Sequence, residues 1–214
     1  MGKDKLRKYS EFEAMPNTYG KDQTDLRGKW AKKVFNNNQP ITLELACGKG
    51  EYTLGLAALQ PQSNYIGIDI KGNRMWKGAG LALEQGLSQV AFLRAQIDHI
   101  TEYFEPGEIN EIWILFPDPQ PGKKRAKKRL IHERFIKRYQ ELMPKGGRVH
   151  LKTDSDLLYH YALEVAQDMQ IKVEQSCSDV YALNPVPQAL QIQTFYEKKW
   201  LKEGLKIKYV VLSW

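Results

Sequence analysis

The chain has 214 residues, 42% of them hydrophobic, with a formal net charge of +7. That length bounds it to one domain with at most a short extension, and the apolar fraction supports a real core. Two separated cysteines, Cys47 and Cys177, exclude a disulfide framework. No apolar run approaches a membrane span, and the four scattered histidines make no cluster with metal-ligand spacing.

Residues 1–38 are polar and poorly periodic, with Lys3, Lys5, Arg7 and Lys8 followed by a Met15-Pro-Asn17 break. They read as a basic N-terminal arm with one short helix around Leu26–Phe35, the sort of segment that orders on a partner. The start, Met-Gly-Lys-Asp-Lys-Leu-Arg-Lys, lacks an apolar signal core. It also has Leu6 where a myristoylation signal wants Ser or Thr. The expectation is a soluble cytoplasmic protein.

From Ile41 the pattern changes, and residues 39–214 read as the folded domain. Ile41–Cys47 predicts a buried strand, Glu51–Leu59 a helix stopped by Pro61, Tyr65–Ile70 a second strand, and Asn73–Gln85 a helix capped by Gly86. Val90–Ala95 is a third strand, followed by a short helix to Phe104. Glu111–Phe116 is the fourth strand, Ile131–Met143 a helix, and Arg148–Thr153 the fifth strand. Ser155–Met169 is a helix with Ser155 as N-cap. Ile171–Ser176 and Lys206–Ser213 close the chain as a hairpin-like antiparallel pair, with Asn184–Thr194 irregular between them. Strands alternating with helices mean an α/β fold, a mostly parallel seven-stranded sheet covered on both faces.

Three places carry chemistry. Glu44-Leu-Ala-Cys-Gly-Lys-Gly50 follows a strand and opens a helix, so Gly48 and Gly50 admit a ligand to the backbone and the helix N-terminus. Ala46 and Thr53 break a dinucleotide fingerprint, and no Gly-Lys-Ser/Thr is present, which disfavours a pyrophosphate. Asp69 ends the second strand about 20 residues on, where an acid can grip both hydroxyls of a ribose or simply cap a helix. A glycine turn and a ribose acid without a diphosphate cradle describe an adenosine ligand with no phosphates; S-adenosylmethionine fits. The third place is Trp113–Arg129. A strand runs into Pro117-Asp118-Pro119, and six basic residues then fall in the seven positions Lys123–Arg129. Between Gln120 and His150 there are eleven basic and two acidic residues, a net +9, so the charge is a patch. A carboxylate beside such a patch points to chemistry on a polyanion, nucleic acid first.

With these residues in place, the chain resembles the bacterial-type tRNA (guanine-N7-)-methyltransferases. The matching segments are Glu44–Glu51, Gly67–Arg74, Phe116–Pro119 with its basic tail, Leu151–Asp154 and Thr194–Glu197, in order and at the family's spacing. The resemblance implies a Rossmann-like class I S-adenosylmethionine-dependent methyltransferase. Its acceptor is N7 of a guanine in the tRNA variable loop (nucleotide 46), giving 7-methylguanosine. By resemblance, Glu44, Gly48, Gly50, Asp69, Gln96 and Asp118 would bind the cofactor, with Asp118 also the catalytic carboxylate. Asp154, Thr194, Phe195, Tyr196 and Glu197 would hold the guanosine. Four positions depart from the pattern, one of them Gln120, which stands where Trp is common after Asp-Pro. Asp69 stands where Glu is usual. Gln96 stands where Asp is frequent, with Asp98 nearby. Gly122 stands where a lysine is common, which leaves Lys123 as the nearest replacement. The resemblance implies tRNA as partner, with no metal and no membrane, as monomer or homodimer. A methyltransferase acting on another substrate, and a non-catalytic RNA-binding module on the same fold, remain open at this point.

For several of these residues a plain structural role is equally natural. Pro-Asp-Pro is a good turn around Asp118. Thr194-x-x-Glu197 is a capping box, and Asp154 can cap the following helix beside Ser155.

Overall fold

The computed structural model describes residues 2–214; Met1 and the side chain of Lys3, and with it any phosphate grip by that residue, lie outside what is described. Helix α1 spans Lys3–Ala14 and β1 is the two-residue strand Thr18–Tyr19. The alternating part runs β2 Ile41–Leu45, α2 Glu51–Leu59, β3 Asn64–Asp69, α3 Gly72–Glu84, β4 Val90–Arg94, β5 Glu111–Leu115, α4 Glu133–Leu142, β6 Arg148–Thr153 and α5 Asp156–Asp168. The chain ends with β7 Lys172–Cys177, α6 Gln188–Gln191, α7 Phe195–Lys202 and β8 Lys208–Ser213.

All eight strands form one sheet in the order β1-β4-β3-β2-β5-β6-β8-β7. The pairings from β1 to β6 are parallel, and β8 runs antiparallel between β6 and β7. The expected terminal pair therefore forms, but its later strand inserts inward and leaves exposed β7 at the edge. The eighth strand is β1, parallel to β4 through Thr18 and Tyr19. Strand succession goes outward from β2 through β3 to β4, then restarts at β5 on the other side of β2. In such a sheet a crevice opens at the carboxyl ends of the strands where the order reverses.

Strand alternation builds two cores. Ile66, Ile68, Ala91, Leu93, Ile112, Ile114, Val210 and Leu212 face one side, against Phe135, Ile136 and Tyr139 of α4. Tyr65, Val90, Phe92, Trp113, Tyr209 and Val211 face the other, with Tyr52 and Leu56 of α2 and Met75 and Ala79 of α3. Residues on opposite faces at every second position are what a parallel sheet covered on both sides requires.

The ring of Phe92 on β4 organises the second core. A Cβ added at Gly67 on β3 would stand 2.8 Å from its Cε1, and one at Gly78 on α3 would stand 2.9 Å from its Cζ. A Cβ at Gly50 would overlap the ring. Three glycines from three elements thus form the socket of one aromatic side chain.

The N-terminal segment is more structured than its polarity suggests. Phe12 of α1 is buried against Gly72, and Trp76 Nε1 donates to Glu11 Oε2 at 2.7 Å. The cations of Arg7 and Lys8 lie over the Trp76 ring, and Arg94 lies over Tyr9. The expected helix around Leu26–Phe35 is instead a 3₁₀ turn, Thr24–Leu26, and a single π turn, Trp30–Val34. Trp30 is fully buried, stacked on Phe104 and donating its indole N–H to Tyr103 O at 2.9 Å. Helix α1 escapes a periodicity reading because it buries one apolar residue and docks through aromatic and ionic contacts rather than an apolar stripe.

Among the described residues no helix is long and apolar enough to cross a membrane. Nor does any group of three or more His, Cys, Asp or Glu stand ready for a metal.

Candidate active site

The crevice is a cavity of about 610 Å³. Its floor is the turn from β2 to α2. Ala46, Gly48 and Gly50 all have positive φ (57°, 58° and 70°), which coils the turn tightly enough for Gly50 N to reach Cys47 O at 2.8 Å. A Cβ on Gly48 would meet nothing within 4 Å, and Gly48 lines the cavity. The two glycines therefore do different jobs: Gly48 keeps the cavity floor open, and Gly50 makes room for Phe92.

Two acids serve this floor from the core. Glu44 on β2 is buried, and its Oε2 accepts from Thr53 N at 2.7 Å and from the Thr53 hydroxyl. Burial is the main force on its carboxyl and pushes it up to about 8. The Thr53 hydrogen bonds oppose that rise, and the nearby charges of Glu51 and Asp69 add to it. Asp69 at the end of β3 is also buried. Its Oδ2 accepts from Gly48 N at 3.0 Å and its Oδ1 from Lys71 N at 2.9 Å. Asp69 thus holds the turn and lines the cavity; it does not cap α3, whose N-cap is Lys71.

The opposite wall is the turn after β5. Phe116 has φ 48° and Gln120 φ 45°. Positive φ in a bulky residue is a genuine outlier, and such strain concentrates at functional sites. Among the described residues, three of the five non-glycine residues with positive φ, Ala46, Phe116 and Gln120, line this cavity. Asp118 between them is exposed, and its Oδ1 accepts from Gln120 N at 2.9 Å. The turn therefore fixes Asp118 at the wall of the cavity.

Beyond this turn the basic run forms a 3₁₀ helix, Lys123–Lys128. Lys128 reaches the cavity rim. Arg129 does not join the other cations on the surface. It is buried, its Nε donates to Pro119 O at 3.3 Å, and its guanidinium lies over Tyr161. Arg129 fastens the Asp118 turn to α5, which leaves five exposed cations in the run.

The third wall is the start of α7. Thr194 Oγ1 caps the helix by accepting from Glu197 N at 3.2 Å. Phe195 N donates to Glu51 Oε2 at 2.9 Å, and Lys49 lies over the Phe195 ring at 4.3 Å. Phe195 and Tyr196 are both exposed and meet edge to face.

Of the sequence-derived residues, Glu44, Gly48, Asp69, Asp118, Thr194, Phe195 and Tyr196 come together on one cavity. The others do not line it. Gly50 is behind the floor. Gln96 is exposed at the N-terminus of the 3₁₀ helix Ile97–Glu102, whose Ile97 does line the cavity, and Asp98 is paired with Arg134. Lys123 sits at the far end of the basic run from Lys128. Asp154 is half-buried, its carboxyl raised by that burial, and its carbonyl accepts from Lys208. Ser155, not Asp154, caps α5. Glu197 is fully buried and does not reach back to complete a capping box; it pairs with Lys152 at 2.6 Å.

Lys49, Glu51 and Phe116 lie in the segments that carry the family resemblance but had no individual role assigned, and Lys128 was marked only as one cation of the basic run; all four line the cavity.

A family described as "Putative methyltransferase" matches residues 38–210. The chain is 42% identical to the tRNA (guanine-N(7)-)-methyltransferase of Bacteroides thetaiotaomicron, over 98% of this chain and 85% of that one. It is likewise 42% identical to the protein of that name from Cytophaga hutchinsonii, over 98% and 97%. Against the Bacillus subtilis protein of that name the identity is 33%, over 89% and 87%. Among solved structures, the 16S rRNA methyltransferase KamB superposes with a TM-score of 0.64 at 10% identity, over 85% of this chain and 91% of that chain. That likeness establishes the class I methyltransferase fold. Identity of this extent over nearly the whole length settles the family: the chain belongs to the tRNA (guanine-N7-)-methyltransferases.

Proposed function

We propose that this chain transfers the methyl group of S-adenosylmethionine to N7 of a guanine in the tRNA variable loop, giving 7-methylguanosine. The observation that carries the reading is one cavity that joins an acid-backed glycine turn to Asp118, with a basic surface starting at its rim. The names borne by the relatives support it.

The residues fit an adenosyl ligand. Gly48 leaves open the space a Cβ would fill, two buried acids serve the same floor, and the turn lacks the features of a diphosphate cradle. Asp69 is the ribose partner in this reading. Glu44 is the partner for positive charge, since a carboxyl held up to about 8 by burial ionises readily once a cation shares its pocket. When bound, the cofactor supplies an electrophilic methyl group on a sulfonium centre.

The protein has little acid–base work to do. Guanine N7 carries an in-plane lone pair and needs no general base, so positioning and electrostatics suffice. Asp118 accepts from guanine N1–H and the exocyclic amine, which holds the ring, offsets the charge growing on it and selects G over A. Phe195 and Tyr196 offer exposed rings for stacking on bases. Lys123, Lys124, Arg125, Lys127 and Lys128 contact phosphates and set affinity and orientation rather than base choice.

The test is to incubate tRNA lacking 7-methylguanosine with the protein and methyl-labelled S-adenosylmethionine, then digest and separate the nucleosides. Label in 7-methylguanosine is expected. Label in another nucleoside overturns the acceptor, and no label on bound tRNA overturns catalysis.

A further inference from the structure

Lys152 is a lysine in the middle of a protein. It lies on β6 with none of its side chain exposed, and it faces Glu197 of α7, equally buried, at 2.6 Å. The ammonium has three donors, and all three are used. Besides Glu197 Oε1, its Nζ donates to Leu190 O at 2.7 Å and Ile192 O at 3.1 Å. Both carbonyls belong to the segment that leads into Thr194. Glu197 in turn accepts the Tyr181 hydroxyl at 2.8 Å, and Gln193 donates to Tyr181.

A buried ion pair is a poor stabilising device, because desolvation cancels much of the attraction, and apolar residues of similar size often do as well. Such a pair is better suited to fixing one geometry among several. The geometry fixed here is the approach to α7, whose first residues Thr194, Phe195 and Tyr196 wall the cavity. We propose that Lys152 and Glu197 are positioning residues: together they clamp the segment from Leu190 to Glu197 so that Thr194, Phe195 and Tyr196 meet the target nucleoside, and Glu197 itself does not touch it. This inference rests on the guanosine reading of that wall.

The experiment is a double-mutant cycle with Lys152→Met, Glu197→Leu and the combined variant. Each is measured by melting temperature, S-adenosylhomocysteine affinity, tRNA affinity, and KM and kcat for tRNA. The single variants strand one buried charge and melt well below the parent. The combined variant recovers most of the melting temperature and binds S-adenosylhomocysteine within about 2-fold of the parent, yet its KM for tRNA rises at least 10-fold. Its KM is no worse than that of Lys152→Met, because both residues act through one clamp.

If Glu197 contacts the nucleoside directly, the combined variant loses the full Glu197 factor on top of the Lys152 factor, and the proposal fails. It also fails if the combined variant folds and keeps the parental KM. Should the single variants not fold, the combined variant and Glu197→Gln, which preserves an oxygen for Lys152, still decide. Glu197→Gln is expected to lie between parent and combined variant in KM, and a loss greater than that of the combined variant sinks the clamp. Because tRNA affinity is read alongside turnover, a parent protein that binds tRNA without methylating it refutes the proposed function and leaves the clamp readable.

Discussion

The two sides of the cavity are built on opposite principles. On the floor, Glu44 and Asp69 are buried, take hydrogen bonds from Thr53, Gly48 and Lys71, and sit on strand ends packed against an aromatic core. On the far wall, Asp118 is exposed on a strained turn beside five surface cations, and Phe195 and Tyr196 point their rings at solvent. The floor is preorganised by the fold itself, which suits the small cofactor proposed for it. The wall is preorganised only in its backbone and leaves its charges and rings for a large partner to engage. Damage to the floor should therefore register in stability and in cofactor affinity. Damage to the wall should register in turnover and RNA binding while the protein stays folded.

The sharpest way to break that contrast is Asp118→Asn. Turnover is expected to fall roughly 10²–10³-fold, the scale for losing one preorganised transition-state contact, with cofactor affinity and melting temperature unchanged. A kcat within a factor of a few of the parent would remove Asp118 from the chemistry. On the floor side, Gly67→Ala should cost about 1–3 kcal/mol, because its Cβ would press on the Phe92 ring and Thr53 Oγ1. Thermal unfolding checks this, and a neutral result would mean that the Phe92 socket yields.

The third prediction concerns pH. In the folded chain the Glu44 carboxyl stands at about 8 against an ordinary 4.5. Between those values the folded state holds a proton that the unfolded state has released. Stability should therefore fall as pH rises from about 4.5 to about 8, then level off, a linkage of roughly a few kcal/mol at most. Glu44→Gln removes this limb, so the parent and variant melting curves against pH should differ in slope across that window and run parallel above it. Parallel curves throughout would show that Glu44 is ionised in the fold. The mildest effect belongs to the rim. Lys127→Ala or Lys128→Ala should weaken tRNA binding without altering which nucleoside is methylated, and each should reduce the slope of log affinity against log salt by about one unit at most.

What could be read from the sequence tracks the same division. The strands and α-helices from Ile41 to Cys177 were legible because apolar runs and helical spacing alternate cleanly there, whereas α6 forms inside the stretch that reads as irregular. Of the floor acids, Glu44 was reached through the family resemblance, whereas Asp69 was legible because it ends a strand about 20 residues beyond the glycines. Helix α1 was not, since its docking depends on Trp76 and Arg94, far along the chain. The fates of Arg129 and Lys152 were equally hidden. One is a cation in a run of cations, the other a lysine in a Leu-Lys-Thr-Asp segment, and nothing local shows that both point inward. Burial of a charge is decided by partners distant in sequence, here Tyr161 and Glu197. The strain at Phe116 likewise belongs to the folded backbone and leaves no mark in composition.

The Phe92 socket has a consequence for how this sequence can drift. Positions 50, 67 and 78 look like three independent glycines, yet a Cβ at any of them would press on the same ring on a fourth element, with the Lys49 carbonyl also crowding position 78 and a positive φ also constraining position 50. A smaller side chain at position 92 would open a void beneath the glycine turn, in the core that Phe92 shares with Tyr52, Tyr65 and Met75. Enlarging any of the three glycines first would evict the ring. Position 67 is therefore tied most directly to residue 92, and part of the constraint on the glycine turn comes from a phenylalanine more than 40 residues downstream of Gly50.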